Sequence, residues 1–159
     1  MPEVWRSPWL SVIDDPPTEP FFAAKDEVLV IAIDSDNQLL LIEEPSPAFG
    51  QPALLLPCGT IEEGETPEES AQRELREETG FAAAALTPLQ SLRPWMKYLR
   101  LTTHVVFATE LSASPLEPDE THAVVLHRKV RKDVEALIGS GDLCDARVIA
   151  ALSISPWWR

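Results

Sequence analysis

From Gly59 to Phe81 the chain reads GTIEEGETPEESAQRELREETGF, and the second half of that stretch carries the signals of a helix with defined ends. Thr66 stands where an N-cap hydroxyl belongs, Pro67 takes the first helical position with its φ preset, and Glu69 completes a capping box. Gly80 fits the left-handed residue just past a helix end, so a helix is expected over 67–79. On it Glu74 and Glu78 are four residues apart and share one face, with Glu77 beside them. Like charges at that spacing cost an isolated helix ~0.2–0.5 kcal/mol per pair, so a positive partner is expected. Arg73 can answer one carboxylate well, and its planar fork suits Glu65 in the loop leading into the helix. For the rest a hard divalent cation is the natural partner. Carboxylate oxygens in small number favour Mg²⁺, with Mn²⁺ as a substitute, because such an ion keeps waters and takes phosphate oxygens as further ligands. It would hold phosphates, neutralise developing charge and activate a water. Gly59 has no Cβ, which lets the loop backbone come close to the acidic cluster.

Upstream of this stretch, Glu27 to Ile33 and Gln38 to Glu43 are apolar runs separated by Asp34-Ser35-Asp36-Asn37, the pattern of a hairpin. Their near-continuous apolarity implies strands buried on both faces. Residues 45–52 read as a loop, 53–56 as a short strand stopped by Pro57, and Cys58-Gly59 as the start of a tight turn. Downstream, strands are expected near 86–92, 102–111 and 123–128, with an acidic loop over 115–120 between the last two. Val130, Val134, Leu137 and Ile138 recur at helical spacing. Gly139-Ser140-Gly141 ends that pattern, and Ala146, Ile149, Ala150 and Leu152 resume it, so two C-terminal helices are expected. Residues 1–26, rich in Pro and aromatic side chains (Trp5 and Trp9 among them), read as short extended pieces and turns. They are expected to form an N-terminal arm that packs on the domain or on a partner subunit, with 27–159 as a single domain.

A chain of 159 residues, 45% of them apolar, supports one globular core and not two comfortable ones. Thirteen Lys and Arg against 26 Asp and Glu give a formal net charge of −13, which argues against nonspecific binding to nucleic acid or anionic membrane. An anionic substrate would therefore need a metal or local basic groups. No stretch approaches the ~20 apolar residues of a membrane span, and the N-terminus lacks the apolar run of a signal peptide. With two cysteines, Cys58 and Cys144, no disulfide framework is expected, and a soluble protein in a reducing cytoplasm fits.

A Glu-rich helix taken alone reads as a solvated surface. The whole order Gly59-x5-Glu65-x7-Arg73-Glu74-Leu75-x-Glu77-Glu78-x-Gly80-Phe81 changes that reading, because it resembles a complete Nudix box. Phe81 stands where that family more often has an aliphatic residue, a packing position. The resemblance implies an α/β/α sandwich with a mixed β-sheet flanked by the box helix and the C-terminal helices. It implies metal binding by Glu74 and Glu78 as bridging ligands, with Glu77 a third ligand or a water-orienting group and the Cys58 backbone carbonyl completing the set. The Cys58 thiol would be incidental. Arg73 and Glu65 would stand with Glu77 among the catalytic residues, and the general base would come from the loop before the last strand, where Glu117, Asp119 and Glu120 stand and Glu120 is the first choice.

The box implies diphosphate hydrolysis and leaves the substrate open. Leu56-Pro57-Cys58-Gly59 resembles the Pro-Ala-Gly variant of sugar-nucleotide hydrolases in the family, and the tail from Gly141 to Leu152 resembles the last helix of ADP-ribose and ADP-compound hydrolases. The stretch after the box departs from them: Arg93-Pro94-Trp95-Met96-Lys97-Tyr98 replaces a Ser-Pro-Gly-like loop. Trp95 and Tyr98 offer stacking faces for a base, and Arg93, Lys97 and Arg100 form a basic cluster, so these five are the substrate-binding candidates. His104, His122 and His127 show no metal-ligand spacing. The expected reaction is hydrolysis of a nucleoside diphosphate linked to a moiety X, with ADP-ribose or a related ADP compound leading. The rivals are a housecleaning hydrolase of nucleoside triphosphates and a noncatalytic nucleotide sensor. Resemblance and the aromatic arm suggest a homodimer whose only other partner is a small-molecule nucleotide.

Overall fold

Two strands that are apolar on both faces form the centre of the molecule, and everything else is arranged to cover them. In the computed structural model, which describes residues 3–117 and 123–159, β1 (Glu3–Arg6), β2 (Leu10–Ile13) and β3 (Phe21–Ala24) come first. The two central strands β4 (Glu27–Ala32) and β5 (Leu39–Ser46) follow, then β6 (Gln51–Leu55), β7 (Cys58–Thr60) and helix α1 (Pro67–Thr79). Strands β8 (Phe81–Pro88), β9 (Leu99–Arg100), β10 (Thr103–Ala113) and β11 (Val125–Lys129) precede α2 (Arg131–Ser140) and α3 (Ala146–Ile154).

Three sheets result, in the orders β1-β2-β3-β9, β7-β4-β10-β8 and β11-β5-β6. The second is mixed, since β10 runs parallel to β4 and antiparallel to β8. Alternate residues of the central strands face opposite layers. Leu29, Ile31, Ile33 and Leu41 pack with Val134 of α2 and with Val148, Ala151 and Leu152 of α3. Val28, Val30, Ala32 and Leu40 pack instead with Ala71 and Leu75 of α1. Fully burying each Val, Leu or Ile contributes ~1.5–3 kcal/mol, so these two apolar layers hold α1 on one face of the sheets and α2 with α3 on the other. This is the expected α/β/α arrangement.

Several local expectations change, among them the loop expected over 45–52, where β5 and β6 pair Pro45 with Pro52 and Ser46 with Gln51. The turn at Asp34–Asn37 forms, with the Asp34 carboxylate accepting from the Asp36 and Gln38 amides at 2.9 Å each, but the hairpin stops at a single bridge, Ile33 to Leu39. Beyond it β4 pairs with β7 and β10, while β5 pairs with β6 and β11. Strands buried on both faces carry no polar edge that names their neighbour, so the turn residues fixed the reversal and not the pairing. Cys58-Gly59 lies within strand β7, whose residues oppose Leu29 and Val28 of β4, and does not begin a turn. Strand β8 also starts earlier than expected, directly after Gly80, where small alanines let α1 approach. There the Gln72 side chain donates to the Ala83 carbonyl (3.1 Å) and accepts from its amide (3.0 Å). Residues 3–24 form three short strands joined by bends and turns, and these pair with β9 in a sheet of their own; Trp157 and Trp158 pack on the core beside α2 and α3.

Candidate active site

Helix α1 is built as its sequence specifies. Thr66 caps it, accepting from the Glu69 amide at 3.2 Å while its own amide donates to the Glu69 carboxylate at 2.8 Å, and Gly80 closes it at φ 76°. Ala71 and Leu75 anchor one side of the helix in the core. That anchoring turns Glu74 and Glu78 toward β7, where they are only 4% and 7% exposed. The Cys58 amide donates to the Glu78 carboxylate at 2.9 Å. Gly59 is the closest approach: a Cβ added there would overlap the Glu74 carboxylate. The glycine's role is thus to leave room for a buried acidic group, which is a sharper requirement than turn flexibility.

Arg73 binds Glu65 through both arms of its fork, Nε to Oε1 at 2.8 Å and Nη2 to Oε2 at 2.9 Å. It also reaches further than the sequence suggested. Nη1 donates to Glu74 at 2.7 Å and to Glu77 at 3.2 Å, and Nη2 to the Thr60 carbonyl at 3.0 Å. The hydrogen bond from Arg73 is the main cause that lowers the Glu65 carboxyl from 4.5 to about 2. Arg73, Glu65, Glu74 and Glu77 therefore form one network at the β7 edge, where Glu78 is held by the Cys58 amide. Burial first, and the Glu78 charge second, push the Cys58 thiol well up from its ordinary value, although the residue as a whole is half-buried. A thiol held protonated is a poor nucleophile.

Ser114 and Leu116, at the exit of β10, dock on the far end of α1 through Arg76, whose Nε donates to the Ser114 carbonyl at 2.9 Å. Glu117 is exposed just beyond, while Asp119 and Glu120 lie outside the described residues.

The five substrate-binding candidates gather elsewhere. Arg93, Lys97, Tyr98 and Arg100 line a hollow of about 600 Å³ together with Thr18, Pro20 and Phe21, and neither α1 nor β7 forms any of its walls. Trp95 stacks on Phe22 at 5.9 Å and meets Tyr98 edge-on at 5.3 Å, so these aromatic faces already contact one another and the N-terminal sheet. Lys97 lies over Tyr98 and Arg100 over Phe21.

A second constellation escaped the sequence reading. Arg147 in the first turn of α3 donates to both oxygens of Glu27, at 2.9 and 2.8 Å, and to both of Asp145, at 3.2 and 3.0 Å. Asp145 also caps α3, accepting from the amides of Arg147 and Val148. Burial alone would raise the Asp145 carboxyl, but its bonds with Arg147 outweigh that and hold it below its ordinary value. The Asp-x-Arg order at a helix start was visible; its partner Glu27, 120 residues away, was not.

Known proteins share this organisation. The family model described as NUDIX domain matches residues 24–150. An ADP-ribose pyrophosphatase of Bacillus subtilis is 29% identical over 79% of this chain and 69% of its own length. The ADP compounds hydrolase NudE of Escherichia coli is 31% identical over 84% of this chain and 72% of its own. A crystal structure of an ADP compounds hydrolase superposes with a TM-score of 0.82 at 28% identity, covering 96% of this chain and 88% of that one. The family match spans both the acidic helix and the sheets that position it, and on that ground the chain belongs to the Nudix family.

Proposed function

We propose that this protein hydrolyses the diphosphate bridge of an ADP compound, with ADP-ribose or a related ADP-sugar the leading substrate. The observation that carries this reading is the pair of buried carboxylates, Glu74 and Glu78, held against β7 by the space at Gly59 and the Cys58 amide. Burying two like charges is unfavourable unless positive charge balances them, and Arg73, which bonds Glu65, Glu74 and Glu77, supplies part of that charge. The donor set is hard oxygen, which fits Mg²⁺ or Mn²⁺. Among the described residues no three His, Cys, Asp or Glu side chains close on one point. Water, substrate phosphate and the Cys58 carbonyl would fill the remaining positions, as magnesium favours. When bound, the ion supplies charge neutralisation on the phosphates and a more acidic water.

In this reading Glu74 and Glu78 hold the ion, Glu77 ligates or orients the attacking water, and Arg73 with Glu65 fixes the direction of Glu74 and Glu77. Glu120 accepts the water's proton. Arg93, Trp95, Lys97, Tyr98 and Arg100 form the site for the base and its phosphate, and their separation from α1 favours a homodimer in which the N-terminal sheet of one copy meets the other. Exposed Val4, Trp5 and Trp9 on that sheet support such packing. Among the described residues no helix is long and apolar enough to cross a membrane, and we place the protein in the cytoplasm, without a nucleic-acid partner. The relatives named for ADP-ribose and ADP compounds favour this substrate class over triphosphates.

Product analysis tests it. AMP plus a sugar phosphate from ADP-ribose, dependent on Mg²⁺ and lost in Glu78→Gln, is the expected result. Release of pyrophosphate from triphosphates would replace the substrate assignment, and ligand affinity without turnover would make the protein a sensor.

A further inference from the structure

Helix α1 must be held against rotation about its own axis if Glu74 and Glu78 are to face β7, and its apolar packing is a weak guide to that angle. Of its buried side chains, Ser70, Ala71, Glu74, Leu75, Glu78 and Thr79, Leu75 is the one large apolar group. Strand β8, against which α1 packs, reads alanine from 82 to 85. Interlocking of large side chains is what fixes the mutual angle of packed elements, and alanines supply little of it.

Polar contacts on two flanks supply what the core stripe lacks. Each residue advances a helix by ~100°, so Gln72 and Arg76 flank the Ala71 and Leu75 stripe on one side, and Glu74 and Glu78 flank it on the other. On the glutamate side the Cys58 amide holds Glu78, and Arg73 reaches the Thr60 carbonyl, both on β7. On the opposite side the Gln72 carboxamide donates to the Ala83 carbonyl at 3.1 Å and accepts from the Ala83 amide at 3.0 Å. Strands β7 and β8 are the two ends of the sheet β7-β4-β10-β8, so these contacts tie α1 to both of its edges. Along β8 the Gln72 carboxamide takes the place of a neighbouring strand, satisfying both backbone groups of one residue. Arg76 adds one bond on the same flank, from Nε to the Ser114 carbonyl at 2.9 Å. A single bond leaves a pivot, whereas two parallel bonds from one planar group fix an orientation.

We propose that Gln72 is a positioning residue of the active site: paired with the backbone of Ala83, it sets the roll of α1 and with it the direction in which Glu74 and Glu78 present their carboxylates at β7. This role rests on the reading of Glu74 and Glu78 as the pair that holds the metal ion. Side chains reach ~5–6 Å from a helix axis, so a roll of about 10° carries a carboxylate by ~1 Å. At a reacting centre that displacement can cost about 100-fold in rate. Groups that orient metal ligands without touching the ion are worth about 10- to 100-fold in affinity or activity.

The experiment compares the parent with Gln72→Met, which fills a similar space without either bond, and with Val134→Ala, a change in α2 that weakens the other apolar layer. In the metal-free protein Gln72→Met should move the Cys58 amide proton upfield, because its bond to Glu78 lengthens. It should also weaken Mg²⁺ binding about tenfold in a calorimetric titration, and lower kcat on ADP-ribose about 10- to 100-fold with KM within about twofold. Val134→Ala should lower Tm and leave the amide shift, the Mg²⁺ affinity and kcat as in the parent. Gln72→Glu, which keeps the acceptor for the Ala83 amide and loses the donor to its carbonyl, takes the same test if Gln72→Met does not fold. A parental Cys58 shift in the Gln72 variants, with Tm alone lowered, would overturn the proposal and leave Gln72 as a seal on the β8 edge. Because that shift is read without metal or substrate, it decides the role of Gln72 even if the parent binds no Mg²⁺, a result that would sink the metal reading instead.

Discussion

Gly59→Ala is the most discriminating single change, because the structure separates its backbone effect from its steric one. Gly59 is not in the left-handed region, so alanine meets no φ strain and by itself would stabilise the fold by ~0.4–1 kcal/mol through the unfolded chain. The new methyl, however, overlaps the Glu74 carboxylate, and overpacking of a close contact costs ~1–3 kcal/mol. The net destabilisation is then roughly 0–2.5 kcal/mol, a fall in Tm of under about 10 °C at this chain length. Activity should suffer far more, since displacing a catalytic group by ~1 Å can cost about 100-fold in rate. Thermal unfolding and kcat/KM on ADP-ribose with Mg²⁺ measure the two effects separately. Gly139→Ala is the control: it lies in α2 with nothing within 4 Å of its added Cβ, so it should stabilise by ~0.5–1 kcal/mol and leave activity alone. A Gly59→Ala protein with parental kcat/KM would refute the idea that Gly59 exists to seat Glu74 beside the reaction.

Glu78→Gln should keep an acceptor for the Cys58 amide and so preserve Tm, yet lower kcat by ~10²–10³-fold and weaken Mg²⁺ binding in a calorimetric titration. Arg73→Ala leaves Glu65, Glu74 and Glu77 without their shared cation; because Arg73 and Glu65 keep about a fifth of their side-chain surface in water, the expected cost is about 2–3 kcal/mol in denaturant unfolding, below that of a fully buried pair, and Arg73→Lys should restore only part of it. The Glu65 carboxyl titrates lower in the folded state than in the unfolded one, so its contribution is present above its ordinary 4.5 and disappears as pH falls toward about 2. That contribution amounts to up to about 3 kcal/mol, and Glu65→Gln should flatten the acid limb of the stability curve within this window. Because Cys144 is exposed and the Cys58 thiol is pushed up, a thiol reagent at pH 8 should modify Cys144 quickly and Cys58 slowly, and Cys58→Ala should retain kcat/KM within about twofold.

What the sequence determined by itself is whatever depends on short separations along the chain. The capping box at Thr66 and Glu69, the stop at Gly80 and the shared face of Glu74 and Glu78 are all set within one helix, so α1 is found over the residues expected. The apolar runs of β4 and β5 announced strands covered on both faces, and with the box motif this was enough for the layered fold and the family. Tertiary structure decided the rest, because it depends on which distant segments share a neighbour. The Asp34–Asn37 turn could reverse the chain without committing β4 and β5 to each other, and β7 went to β4 although Cys58-Gly59 has the composition of a turn. The basic and aromatic residues from Arg93 to Arg100 joined the N-terminal sheet through β3 and β9, away from α1. Arg147 found Glu27 across 120 residues, a contact that no local pattern announces. Helix ends and side-chain faces are enforced by bonds between residues three or four apart, whereas pairings and pockets arise only when the apolar layers bring remote segments into contact.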